Sequence, residues 1–238
     1  MNDNEIIEFV NTIKTKYQIK AAMVVGSYLS GTMTKHSDID LFCVSDNQEQ
    51  SIRGRIYYRS IEFEYFLSPE WKFYHRMEMD LTSVRIYSSG KVLIDENDLL
   101  KNIVIKAKSI RDNYCPEVDK KKKRDFSFYI ESIYTDGIDM LDNKYFEDFN
   151  VFAGIQIEKI CNIICQNRKV LPIYPKYFFN ELDNIDKQLA VYIKELITTK
   201  YNDENKKEKW EQLCKYVLKE LGNEDIKIYE SCDSIQKN

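Results

Sequence analysis

A chain of 238 residues, 43% hydrophobic and 31% charged, can bury a sizeable core, and its length suits two domains better than one. Its apolar runs fall far short of the roughly 18 residues of a membrane span. The start Met1-Asn2-Asp3-Asn4-Glu5 lacks the basic and apolar segments of a signal peptide, so a cytoplasmic protein with no membrane partner is expected. A net charge of −4 argues against extended nucleic acid as the main partner, and six scattered cysteines without a CxxC pair read as reduced thiols. Cys161 and Cys165 share a helix face, but with no histidine nearby they read as small apolar core residues.

Ile6, Ile7, Phe9, Val10 and Ile13 recur at helical spacing behind Asp3 or Asn4 as a cap, which predicts an amphipathic helix over 4–16. Ala21 to Val25 is a short apolar run ended by Gly26, the pattern of a buried strand, and the residues after Ser27 suit a helical turn broken at Gly31. Residues 37–45 read as the second strand, with Asp38 and Asp40 on one face and Ile39, Leu41 and Cys43 on the other. Two further runs, 54–59 and 61–67, read as a hairpin in which Glu62 and Glu64 share a face.

Ser68-Pro69-Glu70 predicts a helix capped by Ser68 and running to about Met79; another follows Asp80, then a strand over 92–94 and a helix over 97–110. Pro116 and the basic run Lys120 to Arg124, read as a solvated helix start or linker, mark the expected boundary between a domain over 1–115 and a second over 116–238. Beyond it the strand signal stops. Wide apolar stripes predict helices over about 124–142, 147–167 and 178–199, and a fourth over about 204–221 ends at Gly222, followed by a short tail. The expected fold class is therefore an α/β (α+β) domain with a mixed sheet, followed by an all-α helical bundle.

No GxxxxGK[ST] loop, GxGxxG fingerprint, HExxH pair or GxSxG elbow is present, and His36 and His75 are too few for histidine-built sites. What carries chemistry is Gly26-Ser27 at the end of one strand and Asp38-Ile39-Asp40 in the next. Gly26 and Ser27 offer backbone N–H groups and a hydroxyl to polyphosphate oxygens, while Asp38 and Asp40 offer hard oxygen ligands to divalent cations. The pairing predicts nucleotidyl transfer. Lys35, in the loop before the acids, is a candidate phosphate contact.

Gly26-Ser27, ten residues, then Asp38-Ile39-Asp40 resembles the signature of the DNA polymerase β-like nucleotidyltransferase superfamily. The resemblance covers about residues 20–67 at motif level and, more loosely, the two-domain layout. It implies a third acid from a later strand, and Glu62 and Glu64 both fit, with Glu64 preferred. Three acids suit about two cations roughly 3.5–4 Å apart, and an all-oxygen donor set points to Mg²⁺. ATP is the expected donor among nucleoside triphosphates. The acceptor is expected to be a small molecule, as in the aminoglycoside and lincosamide nucleotidyltransferases, whose helical C-terminal domain closes over the acceptor and often supplies an acid as base. Glu131, Asp136, Asp139 and Glu158 are the candidates for that base, with nothing in the sequence to separate them. A protein-modifying transferase of toxin–antitoxin type and a silent nucleotide-binding protein are the alternatives; the intact Asp38 and Asp40 speak against the silent one.

Overall fold

In the computed structural model, which describes residues 2–200, 202, 204–223, 226, 227, 229 and 230, helix α1 (Asp3–Tyr17) starts one residue earlier than its apolar pattern suggests. The cap is Asn2, because Glu5 stands three residues on. Asn2 Oδ1 accepts the Glu5 N–H at 3.2 Å, and Glu5 Oε2 accepts the Asn2 N–H at 2.7 Å, closing a reciprocal capping box. The chain divides into two compact units, Met1–Asn113 and Tyr114–Asn238. Cys232 and most of the expected tail lie outside the described residues.

The first unit is built on a five-stranded mixed sheet in the order β3-β4-β2-β1-β5, with β1 Ile19–Val25, β2 Ile39–Ser45, β3 Ile52–Tyr58, β4 Ile61–Ser68 and β5 Lys91–Asp95. Arg59 and Ser60, both at positive φ, make the two-residue turn that folds β3 back on β4. Because β4 is the returning arm of that hairpin, it lies parallel to β2, while the remaining pairs are antiparallel.

Alternation gives the sheet two faces. Ile39, Leu41, Cys43, Phe63, Tyr65 and Leu67 pack against Ile6, Phe9, Val10 and Ile13 of α1. On the other face Met23, Val25, Phe42 and Val44 pack against α3 (Glu70–Met79), α4 (Leu81–Ser89) and α5 (Leu99–Asp112) through Phe73, Val84, Tyr87 and Ile103. The single helical turn α2 (Ser27–Ser30) follows β1.

Other starts differ from expectation for local reasons. Ser68 remains in β4 and bonds Ser51 Oγ at 3.0 Å, leaving Pro69 at the cap of α3 without a side-chain bond. β2 begins at Ile39 rather than at residue 37, because Thr34 and Ser37 close a turn through the Thr34 N–H to Ser37 Oγ at 2.9 Å. Asn97 and Asp98 take left-handed φ, so α5 starts at Leu99, its first turn held by Asp95, which accepts the Leu100 and Lys101 N–H groups at 3.0 Å.

The second unit is helical: α6 Lys120–Asp142, α7 Phe146–Asn167, a 3-10 turn at Pro175–Tyr177, α8 Phe178–Ile185, α9 Lys187–Thr198 and α10 Asn205–Leu221. Asp119 caps α6, so the basic run opens a helix. Trp210 is fully buried against Phe149, and Gly137 admits it: a methyl group there would lie 2.3 Å from the indole Nε1, which donates to Tyr134 O at 3.2 Å. Cys161 and Cys165 are buried, and burial drives the Cys161 thiol well above its ordinary range, as suits inert core residues. Among the described residues no helix is long and apolar enough to cross a membrane.

The single helix expected over 178–199 is two, broken at Asp186. This carboxylate is 4% exposed, caps α9 through the Leu189 N–H at 2.9 Å, accepts the Tyr216 hydroxyl at 2.9 Å and pairs with Arg168 Nη2 at 2.6 Å. Arg168 also reaches Ile185 O and Glu220, tying α7, the α8–α9 break and α10 together. Asp186→Ala should destabilise the chain by about 3 kcal/mol in urea unfolding, the low end for a buried pair because Arg168 keeps part of its side chain in water. A loss under about 0.5 kcal/mol, ordinary for a surface site, would show that the network is dispensable.

Candidate active site

The site forms where the end of β1, the start of β2 and the middle of β4 meet on the face that carries α3 to α5. Asp40 on β2 lies opposite Val25, the last residue of β1, and opposite Glu64 on β4. Asp38 stands one residue ahead of β2 and, two residues from Asp40, points the same way. One carboxylate oxygen from each of Asp38, Asp40 and Glu64 lies within 4.8 Å of the others, and all three side chains are half-buried.

Gly26 follows β1 at φ 75° and ψ −149°, a region essentially closed to other residues. A methyl group at this position would come within 2.6 Å of Asp40 Oδ2. Glycine is thus required twice, by its backbone and by the nearness of the acid. Ser27, 7% exposed, opens α2, whose turn closes through the Thr32 N–H to Ser27 O at 3.2 Å.

Glu62, the alternative third acid, is not part of this group. It is the next acid back along the same face of β4, about 7 Å away by strand rise. There it accepts Arg55 Nε at 2.6 Å and the Tyr57 hydroxyl at 2.6 Å, and that hydrogen bond, with its charge second, raises the Tyr57 phenol above its ordinary range. Lys35 is exposed and lines a surface cleft with His36, Ser37, Tyr57 and Glu62.

One residue absent from the sequence reading is Arg53 on β3. Its Nε donates to Glu64 Oε1 at 2.6 Å, and its guanidinium lies 5.2 Å from the centroid of the Phe66 ring. The Glu64 carboxylate raises the guanidinium above its ordinary range, chiefly through this hydrogen bond, and the charges of Asp40 and Asp38 add to the effect. The signal for it lay in the hairpin: Arg53 and Arg55 alternate along β3 as Glu62 and Glu64 do along β4, and cross-strand pairs of opposite charge attract.

Gly26→Ala should cost about 1–3 kcal/mol in unfolding free energy from backbone strain alone, and should weaken Mn²⁺ binding by displacing Asp40. Unchanged stability together with unchanged Mn²⁺ affinity would contradict the close approach.

A family profile described as a nucleotidyltransferase domain matches residues 6–110, which span all five strands. A protein of Methanocaldococcus jannaschii named as a protein adenylyltransferase is 47% identical over 49 residues, covering 19% of this chain and 49% of that protein. The chain thus spans about half the length of this curated relative. A solved nucleotidyltransferase-like protein from Exiguobacterium sibiricum superposes with a TM-score of 0.52 at 11% identity, over 90% of this chain and 74% of that one, which is a likeness of fold. Motif and profile liken residues 6–110 of this chain to a nucleotidyltransferase domain, and the solved structure shares its fold.

Proposed function

We propose that the protein transfers a nucleoside monophosphate, AMP from ATP, onto a hydroxyl acceptor with Mg²⁺ as the cation. The observation that supports this best is the convergence of Asp38, Asp40 and Glu64 beside Gly26 and Ser27. The donor set fits a hard divalent ion: it is three carboxylates, close together and half-buried, with no sulfur or imidazole among them. Bound there, Mg²⁺ would supply Lewis-acid stabilisation of the charge that develops on the transferring phosphoryl group.

The roles of the chain's own groups follow from their positions. Asp38 and Asp40 on one strand, with Glu64 from its neighbour β4, would hold the cation. The Ser27 N–H and hydroxyl hold the outgoing phosphates, which can approach because Gly26 carries no side chain. The acceptor oxygen bonds to the α-phosphorus as the bond to the bridging oxygen breaks, pyrophosphate leaves and the hydroxyl proton passes to a base. The acids that the sequence offered for that base, Glu131, Asp136 and Asp139 on α6 and Glu158 on α7, are all exposed. Positioning and charge neutralisation do most of the work in such a transfer.

Two acceptor classes follow from different observations. A small molecule suits the acidic balance of the chain and its helical second unit, and extended nucleic acid does not. A protein hydroxyl is the second reading, favoured by the similarity to a relative named as a protein adenylyltransferase.

Incubation with ATP labelled at the α-phosphate should release pyrophosphate and place label on acceptor; label in the small-molecule pool supports the first class and label in protein the second. Asp38→Asn, Asp40→Asn and Glu64→Gln should each lower turnover roughly 100-fold or more, and Glu62→Gln by no more than about threefold, because its pair with Arg55 lies outside the group of three. Full turnover in Asp40→Asn would sink the metal-site reading.

A further inference from the structure

The carboxylate that completes the acid group already carries a cation. Arg53 sits on β3, the edge strand, and holds Glu64 Oε1 through Nε at 2.6 Å. The Arg53 side chain is 70% exposed and that of Glu64 14%, so the guanidinium reaches in from solvent to an acid that is mostly enclosed. The neighbouring pair, Arg55 with Glu62, repeats the same diagonal contact one step back along the hairpin, but its acid stands outside the group of three. Arg53 alone of the two places a positive charge on a carboxylate of that group.

Three carboxylates this close repel one another unless positive charge is near. Glu64, with one more rotatable bond than its aspartate partners, is the one freest to swing away. A guanidinium resting on the Phe66 ring is held beside Glu64. The Arg53 end of the pair is open to water, which screens it, so a divalent ion can compete for Glu64.

We propose that Arg53 is the resident counter-ion of the third acid, holding Glu64 in the metal-free protein and giving it up to a divalent ion that arrives with the nucleotide. The inference rests on the reading of Asp38, Asp40 and Glu64 as a cation site. Its consequence is an order of binding. Without nucleotide, an incoming ion competes with Arg53 for Glu64 and the site is held at low affinity. With nucleotide, the triphosphate adds negative charge, draws cations in and offers the guanidinium another anionic partner.

The test uses Mn²⁺ alone as probe, titrated into the full chain and followed by the electron paramagnetic resonance of the free ion. Without nucleotide, Arg53→Met should bind Mn²⁺ about three- to tenfold more tightly than the native chain, Arg53→Lys should stay near it, and the gain should vanish in the Glu64→Gln background. With a non-hydrolysable ATP analogue present, the gap between Arg53→Met and the native chain should close. A merely structural role would not tighten ion binding. Equal or weaker Mn²⁺ binding by Arg53→Met, with its thermal melt near the native one, would overturn the counter-ion assignment, as would a gain of the same size in the Glu64→Gln background. If the native chain shows no Mn²⁺ binding that Asp40→Asn removes, the cation-site reading itself falls and this inference with it.

Discussion

Parallel pairing of β2 with β4 sets Asp40 opposite Glu64 and, one residue away on the other face, Ile39 opposite Phe63. Side chains alternate along a strand, so a slip of one residue would turn Glu64 into the core and lift Phe63 or Tyr65 onto the acid face. The apolar half of the pair forbids the slip. Phe63, Tyr65 and Leu67 are 1%, 4% and 1% exposed, and Phe63 stacks on Phe9 of α1 with centroids 4.0 Å apart. Burial of each such side chain contributes roughly 1.5–3 kcal/mol. The placement of the acids is thus fixed by residues that never touch the site.

That placement concentrates negative charge, and the surrounding structure is arranged to tolerate it. Two unit charges about 4 Å apart repel by roughly 4 kcal/mol near a protein surface, a cost that a cation relieves and that Arg53 meets in part. Gly26 gives Asp40 room on one side. The turn that carries Ser27 is anchored from outside the acid face: the Tyr28 hydroxyl donates to Asp3 Oδ1 at 2.9 Å, and Lys91 on β5 bonds the other oxygen of the same carboxylate. These contacts, the Lys91 bond foremost and the Tyr28 bond next, lower the Asp3 carboxyl below its ordinary range. Asp3, in the first turn of α1, therefore joins three elements around the turn that carries Ser27.

The parts legible in the sequence were those set by near neighbours. Gly26-Ser27 and Asp38-Ile39-Asp40 could be read because a strand end and a period of two decide where those side chains point. Glu62 and Glu64 could not be separated, since both lie on one face and only the pairing of β4 with β2 on one side and β3 on the other distinguishes them. Asp186 escaped for a similar reason. The apolar stripe of α8 and α9 continues through it, and its partners Arg168 and Tyr216 come from helices far off in sequence. The cap of α1 was in reach, for Asn2 and Glu5 have the spacing of a capping box. The acceptor base stayed open because Glu131, Asp136, Asp139 and Glu158 are exposed acids with nothing local to tell them apart.

A crystal structure of the full chain with a non-hydrolysable ATP analogue and Mg²⁺ tests the account most directly. It should show cation density bridging Asp38, Asp40 and the triphosphate, Glu64 completing the ligands, the outer phosphates at Ser27 and the Arg53 guanidinium withdrawn from Glu64. A triphosphate bound elsewhere, or a cation held by Glu62 while Glu64 stays paired with Arg53, would contradict it.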